Sequence, residues 1–278
     1  MDLALTQRKE KSQPGDWVLR GTSILFLVLI VIIPLVVIFQ DGLREGFDSF
    51  WYQINLPIAR SSINLTLWTS ALMTVINAVM GLITAYVLVR FEFPGKRLVN
   101  AIIDLPLAIP TLVTGIMLVI LYGPQQALGG FLIEKLNFRI VFAPTGIVLS
   151  LLFITFPFVV RTIQPVLEEL DRSQERAAAT LGASPWTIFR KIVLPALILP
   201  TLGGSLLSFS RAVGEFGAVV IVAGNIPLRT QTAAVYVFSQ VESENRLGAS
   251  AVSIVLVLIS FVVLFVANAI QKYWGAHR

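Results

Sequence analysis

Cysteine is absent from this chain of 278 residues, which excludes disulfides, thiolate nucleophiles and cysteine-ligated metal sites. Histidine occurs once, at His277 beside the C-terminus, so neither imidazole catalysis nor a histidine metal cluster is expected. Charge is also scarce. Asp, Glu, Lys and Arg make up 13% of the residues, where a soluble domain carries about 25%. No phosphate-binding loop of the GxxxxGKS or GxxxxGKT kind occurs, and HExxH and GxSxG are missing too. The chain therefore carries none of the common machinery for binding ATP, cleaving peptides or hydrolysing esters.

What is present is apolar. Hydrophobic residues make up 56% of the chain and the mean hydropathy is +0.82, the composition of an integral membrane protein. Thr22 to Phe39 runs 18 residues without a charge, close to the ~20 needed to cross a bilayer. A signal peptide has an apolar region of ~7–15 residues and a small-residue cleavage site. This run is longer, contains Pro34 and leads into Gln40-Asp41, so it reads as an uncleaved helix. Five more spans follow at about 63–89, 102–122, 142–160, 199–223 and 249–270. The third opens on Leu105-Pro106-Leu107-Ala108-Ile109-Pro110 and is expected to be bent or partly unwound there. The expected fold is an all-α polytopic membrane protein with six transmembrane helices. Residues 1–20 form a basic N-terminal segment and 21–278 one membrane domain, with no long linker, low-complexity tract or internal repeat.

Six spans put both termini on one side, and charge says which. The N-terminus, 90–100, 161–198 and the C-terminus together hold 14 Lys and Arg, and the alternate segments hold 6. The excess belongs in the cytoplasm. The isoelectric point near 9.7 follows from this topology and needs no nucleic-acid partner.

One of those cytoplasmic segments, Glu168 to Pro200, has its own local grammar. Glu168 to Thr180 is rich in Glu, Ala, Leu and Arg and predicts a short helix, capped by Asp171 or Ser173. Gly182 breaks the run. Ser184-Pro185 then caps a second helix carrying Trp186, Ile188, Phe189 and Ile192, which Pro195 and Pro200 are expected to end or kink. By itself this is an amphipathic loop on a membrane protein. Its spacing says more. Ala177-Ala178, Gly182 and Ile192-x-Leu194-Pro195 stand in the register of the EAA loop of ATP-binding-cassette (ABC) importer permeases. The departure is Arg176 in the Glu slot, with Glu175 one residue earlier.

A second constellation lies in the fifth span: Ser208-Phe209-Ser210-Arg211-Ala212-Val213-Gly214-Glu215-Phe216-Gly217-Ala218. Arg211 and Glu215 sit four apart and are expected to pair on one helix face. Each charge at mid-membrane costs about 2.5–3.5 kcal/mol on insertion scales. An exposed helical pair returns only about 0.2–0.5 kcal/mol. The pair must therefore face protein or a wet cavity, as a helix lock, a part of a pathway, or both. Ser208 and Ser210 accompany it as candidate pathway residues.

This segment, followed by Ala223-Gly224-Asn225-Ile226-Pro227, resembles the oxyanion branch of ABC importer permeases, as do Arg161-Thr162-Ile163-Gln164-Pro165 and Leu105-Pro106 through Tyr122-Gly123. The likeness runs from about residue 60 to the end and leans, through the extra N-terminal span, to the sulfate/thiosulfate T-subunit type. It implies the type I importer (MetI-like) fold in a bacterial inner membrane and no cofactor on this chain, with ATP and magnesium on partner ATPases. It also implies a W-type permease partner, two ATPase subunits gripping the loop at Glu175, Arg176, Ala177, Ala178, Gly182, Ile192, Leu194 and Pro195, and a periplasmic sulfate-binding protein. In that setting Arg176→Glu should restore the common pattern and be tolerated. The chain itself would not be an enzyme.

Rival readings are a molybdate or tungstate permease, a passive anion channel, and an intramembrane enzyme. A channel explains Arg211 but leaves the loop spacing without a role. A protease needs a nucleophile with a base or a pair of aspartates, and Asp104 stands alone at the edge of the third span.

Overall fold

The computed structural model describes residues 14–275, with side chains described over residues 17–270. Residues 1–13, the larger part of the expected basic segment, and His277 lie outside the described residues. Among the described residues every regular element is a helix.

The first helix, α1 (Trp17–Leu43), is longer than the charge-free run that announces it. Its most apolar stretch buries nothing within the chain. Only its far end is packed. Ile38 and Phe39 meet Phe50 of α2 (Phe47–Asn55) and Ala251 and Ile254 of α12 (Arg246–Gly275). A Cβ on Gly42 would come within 2.5 Å of Ile254 Cδ1, so glycine is what lets α1 lie this close.

The centre of the protein is a three-helix core of α3 (Pro57–Arg90), α7 (Pro144–Glu169) and α9 (Pro185–Val213). Their backbones approach through small residues, as membrane helices without a hydrophobic drive between them tend to do. Val159 of α7 is the point of closest approach. A Cβ on Gly81 of α3 would lie 2.7 Å from Val159 Cγ1, and one on Gly204 of α9 would lie 3.0 Å from Val159 Cα. Some polar groups inside this core are paired across helices. Asn77 of α3 donates to Thr155 Oγ1 at 2.9 Å and to the Leu152 carbonyl at 3.3 Å. Such a bond is worth about 0.6–2 kcal/mol in a membrane.

The expected spans at 63–89, 142–160 and 249–270 are present and extend beyond those limits at both ends or one. The third and fifth differ in kind. The third is two helices, α4 (Lys96–Ala108) and α5 (Thr111–Tyr122), meeting at 112°. The bend follows from Pro110. Its ring disfavours helical angles in the preceding residue, and Ile109 is extended at φ −84°, ψ 129°. Pro106 stays inside α4 and buried, so one of the two prolines makes the break. A short helix, α6 (Ala127–Leu136), follows.

The fifth span corrects two expectations. It starts at Pro185 and not near 199, and neither Pro195 nor Pro200 ends it. A π turn over Phe189–Val193 precedes the prolines, with the Leu194 N–H donating five residues back to the Phe189 carbonyl. That shift of register readies the helix for a residue with no N–H to give. The real break comes later, at Gly214, Glu215 and Phe216, after which α10 (Gly217–Ala223) turns away. So 199–223 is not one helix. The two broken spans meet: α10 packs on α5, where a Cβ on Gly115 would lie 2.9 Å from the Ala218 carbonyl. Non-helical backbone at membrane depth survives only when protein or water covers it; the start of α10 lies against the start of α5, where a Cβ on Gly217 would come within 3.1 Å of the Leu112 N–H nitrogen. The last elements are α11 (Ala233–Glu242) and α12.

Candidate functional site

The loop is built from two ends. α7 continues to Glu169, so Glu168 and Glu169 belong to its last turn and not to the loop helix that composition suggests. The loop helix is α8, Ser173–Thr180. Asp171 starts it, its Oδ1 accepting the Ser173 N–H at 2.8 Å and its Oδ2 the Ser173 hydroxyl. Those two hydrogen bonds, the side-chain one foremost, hold the Asp171 carboxyl below the usual carboxylate range. Gly182 ends α8. At φ +83° it lets Ala183 N–H reach the Ala178 carbonyl and its own N–H reach Ala179, both at 3.0 Å. This is the glycine-terminated helix end that Gly alone reaches without strain. Ser184 then caps the next helix as its sequence predicts, accepting the Thr187 N–H at 3.3 Å.

That next helix is α9 itself. Loop and membrane span are one continuous rod. From Pro185 to Arg211 it climbs about 39 Å at 1.5 Å per residue. The residues expected to brace it divide. Phe189 packs edge-on against Tyr86 of α3 at 5.1 Å, and Ile188 and Ile192 are partly buried. Trp186 stacks on Phe189 yet stays 67% exposed, so it faces out of the fold. The tightest brace is Val193, wholly buried among Ile163, Leu167 and Leu197, which sequence reasoning passed over as one more apolar residue.

The loop carries one strong internal charge contact. Arg90, in the last turn of α3, donates from Nη2 to Glu175 Oε1 at 2.5 Å. Arg90 is nearly buried and Glu175 mostly so. Arg176, Ala177, Gly182 and Pro195 are exposed; Ala178, Ile192 and Leu194 are partly buried.

At the other end of α9, Arg211 and Glu215 do pair, at 2.7 Å between Nη1 and Oε2. They do not share a helix face. α9 ends at Val213, and Glu215 folds back from the break to meet Arg211 and to accept the Ala218 N–H at 3.2 Å. The Glu215 side chain is 2% exposed and that of Arg211 is 39% exposed. The carboxylate is therefore a buried anchor and the guanidinium looks outward. Ser208 points into the core, where its hydroxyl donates to the Thr155 carbonyl at 3.3 Å, and Ser210 is partly buried.

A further network holds residues the sequence showed without a role. Arg161 of α7 grips Asp104 of α4 in a fork, Nε to Oδ1 at 2.7 Å and Nη2 to Oδ2 at 2.6 Å. Its remaining donors meet the Asn100 carbonyl at 2.8 Å, Asn100 Oδ1 at 3.2 Å and Gln164 Oε1. All five guanidinium N–H groups are thus used. Arg161 is a clamp with nothing left to offer an anion. Arg211, with one carboxylate partner and an open flank, still has donors to offer. The signal that could have found the clamp is the rule that opposite charges near apolar spans seek each other.

Comparison with known proteins places this architecture. The profile of the binding-protein-dependent transport system inner membrane component family matches residues 77–276. The chain belongs to that family. The chain is also similar to the sulfate transport system permease protein CysT of Escherichia coli K12, 37% identical over 94% of both chains. The CysT protein of Synechocystis is 40% identical over 91% of this chain and 88% of its own. A probable sulfate transport system permease protein of Chlorokybus atmophyticus is 42% identical over 89% and 86%. Among solved structures, a bacterial alginate ABC transporter superposes with a TM-score of 0.77 at 16% identity, covering 93% of this chain and 95% of its own. The MetNI methionine ABC transporter gives 0.59 at 17% identity, over 78% and 95%. At such identities these two show the fold alone. That fold is the ABC importer permease fold, and a permease of this family is an inner-membrane transport subunit.

Proposed function

We propose that this chain is the membrane subunit of an ATP-driven importer carrying sulfate or thiosulfate across a bacterial inner membrane by alternating access. The observation that carries the coupling half is the continuity of α9. The rod that begins at the Ser184 cap in the loop ends beside Arg211, so a push on the loop is delivered to the charged break through one helix. The sulfate half is supported by relatives that bear sulfate permease names and match about nine-tenths of this chain.

In this reading two ATPase subunits, which bind ATP and magnesium, grip this loop and its equivalent on a W-type permease partner. A periplasmic sulfate-binding protein delivers the anion from outside, and both termini are cytoplasmic, where the excess of Lys and Arg lies. Closure of the ATPases draws the loops together and opens the path outward; hydrolysis resets it. Arg211 supplies positive potential along the path, held in place by buried Glu215. The chain performs no chemistry of its own.

The test is uptake of labelled sulfate by cells lacking their own sulfate permease and supplied with this chain and its partners. Uptake that requires the ATPase and is competed by thiosulfate is expected. Uptake without the ATPase would make the chain a passive anion channel. Competition by molybdate but not thiosulfate would shift the substrate to molybdate or tungstate.

A further inference from the structure

The loop has two neighbouring charges of opposite sign, and only one of them is held in a salt bridge. Glu175 is taken by Arg90 at 2.5 Å. Arg176 is exposed and, among the described residues, forms no salt bridge; its charge reaches Asp171 through space, as the last of the influences on that carboxyl. From Arg172 to Lys191 the exposed charges are then all positive: Arg172, Arg176, Arg190 and Lys191. The acidic Glu168 and Glu169 sit earlier, in the last turn of α7, and Asp171 is occupied by Ser173. Between the basic residues stand two large apolar side chains with no cover, Leu181 at 87% exposed and Trp186 at 67%. The turn joining them is an open tip, since nothing lies within 4 Å of where a Gly182 Cβ would be.

An apolar tip ringed by positive charge fits a cavity with an apolar floor and an acidic lip. It fits a lipid surface less well. A helix that lies in a membrane interface needs a long apolar face, and α8 offers Ala177, Ala178 and Ala179 instead.

We propose that the ATPase subunit receiving this loop takes Leu181 into an apolar pocket and presents a carboxylate to Arg176. The inference rests on the coupling reading above and adds the sign of the contact. It also reverses what the EAA-like pattern alone predicts. Since Glu175 is spent within the chain, placing Glu at Arg176 restores nothing. It sets two acids side by side and opposes the lip, and like charges across an interface are strongly unfavourable.

The experiment uses the whole transporter, extracted in detergent with the tag on this chain, and measures how much ATPase stays bound as salt is raised. Between about 0.1 M and 1 M salt the screening length falls from about 10 Å to 3 Å. Arg176→Lys should retain the ATPase as the unaltered chain does, with the same salt sensitivity. Arg176→Glu should lower retention and ATP-driven uptake about tenfold or more, and a carboxylate-to-lysine change in the ATPase should recover both. Normal retention by Arg176→Glu overturns the proposal. So does a loss confined to binding of vesicles rich in phosphatidylglycerol, which would make Arg176 a lipid contact. Gly182→Leu separates the two levels. If it leaves retention and uptake normal, the coupling reading itself fails; if it abolishes both while Arg176→Glu does neither, only the sign of the contact is wrong.

Discussion

Arg90 and Glu175 stand 85 residues apart in sequence and 2.5 Å apart in space, one closing α3 and the other in the first turn of α8. Their pair welds the loop helix to the core helix that packs along both α7 and α9. Losing either partner strands the other, and Arg90 already has one unpartnered donor at Nε. Arg90→Gln or Glu175→Gln should each loosen α8 by about 1–3 kcal/mol, the cost of an unsatisfied buried polar group. Hydrogen exchange across Ser173–Thr180 should rise in both variants, and the double variant should regain part of the protection. Unchanged exchange would mean that the cap at Asp171 holds α8 alone.

Arg211 and Glu215 predict an asymmetry. Glu215 is almost fully buried with two partners, whereas Arg211 keeps an open flank. Arg211→Gln leaves an uncompensated buried carboxylate, a loss of roughly 3–5 kcal/mol. Glu215→Gln leaves a cation that can turn toward water, and should cost less. Complex yield after detergent extraction should therefore fall further for Arg211→Gln, and the double variant should assemble again. If Arg211 serves the anion, labelled sulfate uptake stays low in the double variant. Recovery of both would leave the pair a structural lock only.

The clamp at Arg161 predicts a failure of conservative substitution. Lysine cannot make the planar fork that Arg161 makes on Asp104. Arg161→Lys and Asp104→Asn should each lower the melting temperature of the purified complex, at about 1.5–3 kcal/mol for a hydrogen bond to a charged group. Since the chain has no cysteine, a single cysteine at Leu107 can report on α4 directly. Its labelling by a water-soluble maleimide should quicken in either variant. Equal rates would show that α4 is held by its apolar contacts.

Gly182 should be judged by backbone angle and not by room. Its surroundings are open, so a bulky residue there meets no clash within the chain. The positive φ remains. Asparagine tolerates that region and β-branched residues do not. Gly182→Asn should keep most sulfate uptake, and Gly182→Val should lose it with the protein still in the membrane. Equal loss in both would point to a side-chain clash with the docked ATPase.

Legibility followed the range of each interaction. The apolar runs at 63–89, 142–160 and 249–270, the Ser184 cap and the Gly182 stop are local, each set by a few neighbouring residues, and they stand in the sequence much as they stand in the fold. Even Pro110 announced its bend, because a proline constrains the residue before it. Pro195 and Pro200 do not end the helix because a π turn upstream, which no residue type marks, removed the need for a break. Glu215 misled because spacing of four suggests a helix face, and the helix had already ended at Val213.

The sequence alone determined how many times the chain can cross a membrane, where its loop turns and which charges lie too deep to be idle, since hydropathy and backbone preference act within a few residues. Only the tertiary structure decided the long-range pairs and how far each charge is buried. Arg90 meets Glu175 and Arg161 meets Asp104, because such pairs are settled by which helices pack together; Arg211 meets Glu215 as their spacing suggested, but the break after Val213 buries the carboxylate and leaves the guanidinium facing out.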